Sequence, residues 1–195
     1  LLKGTPSVPV LSYVVLKVTA SKPVLSYFLL KSTASAAEVR FFAMRRQGGM
    51  DTMTPVLEGV RIRLEPMTLK HLSALEAVAF DDRIWRYMLS WVKTPDDLRE
   101  RVEGALRLEA AGSVMRWVTV LKDGDRVIGS TRFMDFDTRH GTTELGSTWL
   151  APEFHGAGLN AEAKLLHLRF GVEELGLRRV ALKTHHENLQ SQAAM

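Results

Sequence analysis

No cysteine occurs in the 195 residues, which excludes disulfide staples, thiolate metal sites and cysteine nucleophiles together. No apolar run approaches the roughly 20 residues that a membrane-spanning helix requires. The sequence therefore predicts no membrane partner and a cytoplasmic location. After the glycine-rich turn at Gly156 and Gly158, a Lys followed by Ser or Thr is missing; Leu159 and Asn160 stand there instead. That excludes a Walker-type phosphate loop. No H-E-x-x-H spacing joins any of the six histidines. His185 and His186, adjacent in a strand, are expected on opposite faces, so no metal site is expected.

Positive charge is scarce where a nucleic-acid binder would need it. Residues 1–49 hold seven Lys or Arg against one acid, a charge of +6, so residues 50–195 carry −2 of the chain's +4. The body of the chain lacks the basic footprint of a DNA or RNA partner. The first fifty residues repeat themselves: Pro9 to Ser21 recurs as Pro23 to Ser35 with a period of fourteen residues. That period is too short for a solenoid. No compact apolar core or cleavage site marks a targeting signal. Residues 1–52 are expected to be a non-native or disordered leader, with Tyr27 to Leu30 as a β-prone, sticky patch.

The rest reads as one domain of ordinary size. Val60 to Leu64 alternates as a strand, and Thr68 caps a helix to about Phe80. Ile84 to Trp91 is aromatic-rich, which fits core packing or a pocket wall equally. Thr94-Pro95-Asp96-Asp97 opens a helix to about Ala111. Trp117 to Leu121 and Val127 to Phe133 flank an Asp123-Gly124 hairpin tip. Thr142 to Leu150 is a strand, and Val180 to Thr184 another. Between them lies a helix from about Ala161 to Leu175, whose stripe Ala161, Leu165, Leu168, Val172 and Leu175 is expected to face the sheet. Helices among mostly antiparallel strands give an α+β, or mixed α/β, layer fold.

Pro152 to Lys164, PEFHGAGLNAEAK, is the most informative stretch. A strand that opens through two glycines into a helix aims several backbone N–H groups at one point, and the helix N-terminus adds partial positive charge. Read from the glycines alone, it is either an anion cradle or a plain strand-to-helix turn.

The surroundings narrow this. Glu144 to Pro152, His155 to Lys164, Leu175 to Thr184 and Asn188 to Ser191, in that order and spacing, resemble the GNAT superfamily of acyl-CoA-dependent N-acetyltransferases. The branch most resembled is that of the RimJ/RimL-like ribosomal-protein N-terminal acetyltransferases. His155 stands where that family has Gln or Arg, and Asn160 where it has a small residue.

The resemblance implies acetyl-CoA as cosubstrate. His155, Gly156, Ala157, Gly158, Leu159 and Asn160 would hold its diphosphate, and main-chain groups of Thr148, Trp149, Leu150 and Ala151 would align the pantetheine arm. Asn188 and Ser191 would touch the same molecule, their alternative being a helix cap. It implies Glu144 as general base, the alternative being an ion-pair partner. The acceptor would be a primary amine, a protein N-terminus first and a small molecule second, and a homodimer is left open. A non-catalytic acyl-CoA-binding module, or an unrelated nucleotide binder, are the competing readings. Because family members continue beyond Ala193-Ala194-Met195 and place a proton-donating tyrosine there, the resemblance implies a partial domain of weak or no activity. Tyr87, the sole tyrosine after the leader, is expected on an element away from the site.

Overall fold

The computed structural model describes residues 54–195 throughout and residues 11–16 as backbone. In chain order the strands and helices are β1 (Leu11–Leu16), β2 (Leu57–Glu58), β3 (Ile62–Pro66), α1 (Leu72–Ala79), α2 (Asp82–Trp85), α3 (Pro95–Ala110), β4 (Val114–Leu121), β5 (Arg126–Asp137), β6 (Thr142–Leu150), α4 (Leu159–Arg169), β7 (Arg179–His185) and α5 (Leu189–Ala193). The strands form one sheet in the order β1-β7-β6-β5-β4-β3-β2. Every neighbouring pair is antiparallel except β6 and β7. The expected mixed α/β layer fold is thus the observed one.

Local chemistry explains most boundaries. Thr94 Oγ1 accepts the Asp97 amide at 3.2 Å and Asp97 Oδ2 accepts the Thr94 amide at 2.9 Å, a reciprocal cap that starts α3. The β4–β5 hairpin turns at Gly124, whose φ of 75° an L side chain adopts only with strain. The first long strand is shifted from the expected Val60–Leu64 to Ile62–Pro66. Ile62 and Leu64 point into the core while Arg63 faces out.

Each face of the sheet carries its own core. On one side α4 packs on Leu57, Ile62, Trp117, Phe133 and Leu145; on the other, α1, α2 and α3 pack on Val118, Val120 and Trp149. The expected sheet-facing stripe of α4 is only partly right: Leu168 and Leu175 pack against the core, but the buried face is centred elsewhere. Ala161 is exposed and Leu165 and Leu168 only half-buried, whereas Leu159, Glu162, Ala163, Leu166 and His167 are buried. Hydrophobicity misplaced the stripe because three of the buried positions, Glu162, Lys164 and His167, are polar. Glu162 accepts hydrogen bonds across the core boundary, and His167 lies edge-on to Trp117 with ring centroids 4.8 Å apart. Burial holds His167 neutral, its pKa lowered to about 4, while Nδ1 contacts the Ala163 carbonyl at 2.7 Å. The last turn of the expected helix, Phe170–Glu174, is a π-helix.

Six residues of the repetitive leader, Leu11–Leu16, pair antiparallel with β7 from His185 to Val180. That pairing covers a strand edge that would otherwise present open N–H and C=O groups. Tyr27 to Leu30 lies outside the described residues. Among the described residues, no helix is long and apolar enough to cross a membrane.

Candidate active site

The parallel pairing of β6 and β7 is brief. It joins Thr142, Thr143 and Glu144 to Arg179, Val180 and Ala181, and then the two strands part. In β6 the register against β5 shifts between Ser130 and Arg132, so Ser147 and Thr148 both face Thr131, and Ser147 takes a φ of 50°. This bulge bends β6 away from β7. A groove of about 900 Å³ opens there. Its lining comes from both sides of the sheet: Arg101, Gly104 and Leu108 of α3 on one, Asn160 and Lys164 of α4 on the other.

The turn His155–Gly158 precedes α4; of the expected cradle residues only Asn160 lines the groove. Gly156 and Gly158 both have φ of 77°. The amides of Gly156, Ala157 and Gly158 make no backbone hydrogen bond among the described residues, and the first-turn amides of α4 have no intrahelical partner by construction. Nothing lies within 4 Å of where a Cβ on Gly156 would sit. Open, unpartnered amides at the N-terminus of an 11-residue helix fit an anion such as a diphosphate. Asn160 adds a buried side-chain oxygen without a protein partner.

Arg61, which the sequence reading did not single out, braces this turn. Its Nη1 donates to the Ala157 carbonyl at 2.7 Å, and its Nε donates to Glu162 Oε2 at 3.1 Å. Glu162 Oε1 also accepts the amides of Arg61 at 2.8 Å and Ile62 at 3.3 Å. A buried carboxylate on α4 thus ties the cradle to β3, and leaves a half-exposed guanidinium 3.2 Å from a Cβ position on Gly158. Lys164, one turn further along α4, is the second residue missed. Burial lowers its pKa to about 8, and Nζ donates to the Ala194 carbonyl at 2.7 Å. Both lie beyond short-motif reading because their partners are 96 and 30 positions away.

Glu144 is buried in the groove wall, on β6, and is ion-paired with Lys183 of β7. An ion pair of the kind expected is thus present, with a lysine in place of an arginine. Thr148, Asn160, Asn188 and Ser191 line the same groove. Asn188 caps α5, its Oδ1 accepting the Ser191 amide at 3.0 Å. Trp149 and Leu150 bury their side chains in the two cores.

Ala151 follows at the end of β6. Its amide donates to the Ile128 carbonyl at 2.8 Å and its carbonyl accepts the Phe154 amide at 2.9 Å, so its main chain serves the sheet and the turn.

Two further corrections concern rings. Tyr87 is brought into the groove lining, stacked on His185 with centroids 5.5 Å apart. His185 and His186, expected apart, have ring centroids 4.5 Å apart, because β7 ends at His185 and the chain turns. Among the described residues no group of three or more His, Asp or Glu could hold a metal ion. The aromatic stretch divides: Trp85 is in the core, whereas Tyr87 and Trp91 line the groove.

A family model described as an acetyltransferase (GNAT) domain matches residues 61–195. The chain is 26% identical over 132 residues to p20, an uncharacterized N-acetyltransferase of Bacillus licheniformis, covering 67% of this chain and 74% of that one. A crystal structure described as an acetyltransferase from T. thermophilus is 33% identical, with a TM-score of 0.63 and 71% of each chain covered. RimL, a ribosomal L7/L12 α-N-protein acetyltransferase solved in complex with coenzyme A, shares the fold. Its TM-score is 0.60 at 20% identity, with 70% of this chain and 77% of that one covered.

Proposed function

This chain belongs to the GNAT acetyltransferases, and on that premise we propose that it moves an acetyl group from acetyl-CoA to a primary amine, with a protein N-terminus as the acceptor. The observation that carries this reading is the groove at the parting of β6 and β7, which has Asn160, in the first turn of α4 next to the glycine turn, and a buried carboxylate in its lining.

Acetyl-CoA, when bound, supplies an acyl group activated as a thioester. The turn amides of Gly156 to Asn160, with Arg61 beside them, hold its diphosphate. The open edge of β6 around Thr148 orients the reacting carbonyl, and positioning of this kind lowers the barrier substantially. The amine nitrogen forms a bond to the carbonyl carbon while the carbon–sulfur bond breaks. Glu144 takes the proton that the nitrogen loses, and the departing sulfur must be given a proton. Tyr87 is the groove's tyrosine and the donor we assign to that step.

Titration calorimetry on the full chain tests the first half of the reading: coenzyme A gives a saturable heat and ATP none, and the opposite pattern removes it. Glu144→Gln tests the second half. It lowers kcat by about 10²-fold or more without weakening coenzyme A binding; an unchanged kcat takes Glu144 out of the mechanism.

A further inference from the structure

The groove's lining carries six Lys or Arg against four Asp or Glu. Lys183 ion-pairs with Glu144 and with Asp135, 3.9 Å away, so two of those acids are already engaged. Asp97 is engaged in capping α3. On the α3 side stand Arg101, Arg116 and Arg132, none of which makes an ion pair among the described residues. Arg116 and Arg132 are direct cross-strand partners on β4 and β5, an arrangement in which like charges repel.

Arg116 is 3% exposed and its Nε has no hydrogen-bond partner; Arg101 Nε is likewise buried and unpartnered. Arg101 is also aimed. Its Nη1 donates to Ser90 Oγ at 2.6 Å and its Nη2 to Ser147 Oγ at 2.9 Å, which holds the guanidinium against the bulge of β6. Burial lowers the pKa of Arg101 to about 10 and of Arg116 to about 9, with Arg132 adding repulsion to both; Glu109 offsets part of this at Arg116, as Asp135 and Glu144 do at Arg132. All three remain cations at neutral pH.

A buried guanidinium without an ion-pair partner is costly to the fold, and here the cost is concentrated on one wall of a binding groove. An anion supplied from outside removes it. The fork geometry of guanidinium matches a carboxylate held by two parallel hydrogen bonds.

We propose that the acceptor is a primary amine that carries a carboxylate, and that Arg101, Arg116 and Arg132 hold this carboxylate while the amine lies at the β6 bulge. The proposal rests on the acetyl-transfer reading for the role of the amine and not for the binding of the anion. An acidic residue next to a protein N-terminus and a free amino acid share this chemistry. The cradle's diphosphate site lies toward α4, across the sheet from the arginines, so the two anion sites are separate.

The experiment is a titration of the full chain, with and without coenzyme A, using two short peptides that begin Ser-Asp or Ser-Asn, together with free aspartate and its diamide. The acidic member of a pair is expected to bind at least about tenfold more tightly, and Arg116→Met to erase the difference without weakening coenzyme A. Preference for the acidic peptide with no response to aspartate assigns a protein N-terminus; the reverse assigns a small molecule. Equal affinity within both pairs overturns the proposal, as does a loss of coenzyme A affinity in Arg116→Met, because the arginines would then be serving coenzyme A. Arg101→Met, expected to weaken the acidic preference with an unchanged Tm, separates a binding role from a folding one. Absence of any coenzyme A heat in the unaltered chain removes the proposed function alone, since the acidic-over-neutral comparison is also made without coenzyme A.

Discussion

On the α4 face, Glu162 is buried at the end of β3 and is met by two main-chain amides and the Arg61 guanidinium, and His167 is buried in its neutral form. On the α3 face, Arg116 is buried as deeply and forms no ion pair among the described residues, with Arg132 facing it across the ladder. The same sheet therefore holds polar groups in two ways. Where the groups organise the fold, each charge is matched within the chain or suppressed by burial. Where they face the groove, charge is left over, which is what a surface does when its counter-charge arrives with a ligand.

Acid should erode the first kind of balance most. His167 has a folded pKa of about 4 against an ordinary 6.5, so the unfolded chain binds the extra proton between those values. Stability from this group is complete above about pH 6.5 and falls as pH drops toward 4, by roughly 3 kcal/mol in all. Urea melts across that range check it, and His167→Phe should flatten the profile; an equally steep profile in the variant would place the loss elsewhere.

Next comes the Glu162 latch. Glu162→Gln weakens three charge-assisted hydrogen bonds and should cost about 2–3 kcal/mol in denaturant unfolding. It should also weaken coenzyme A binding, because Arg61 loses its hold on the cradle. Arg116→Met tests the opposite face with the opposite sign: the free chain should be as stable as before, or more stable by up to about 2 kcal/mol. A clear destabilisation would mean that an internal partner compensates this cation after all. The smallest stability effect is expected at the turn. Gly158→Ala forces a side chain into the left-handed region at a cost of about 1 kcal/mol, while the displaced amides show their larger effect in coenzyme A affinity.

How much of this could be read from the chain follows from the range of each interaction. The cap Thr94-Pro95-Asp96-Asp97, the Asp123-Gly124 hairpin and the strand Thr142–Leu150 depend on neighbours a few positions apart, and they appear where the pattern puts them. The glycine turn is of the same kind, since a positive φ at Gly156 and Gly158 is a local requirement. The buried face of α4 was illegible because Glu162 and His167 count as polar in any periodicity, and their partners Arg61 and Trp117 come from distant strands. Tyr87 looked remote for the same reason: only the path of the chain past α2 brings it to His185.

By itself, then, the order of residues determined most of the strands, the caps, the glycine turn and the family, because each is carried by short spacing and by residue chemistry. The tertiary structure alone decided which charges were satisfied. The partner of Glu144, the bracing by Arg61 and the unbalanced arginines are facts of burial and distance, and desolvation acts on a group only once the fold has enclosed it.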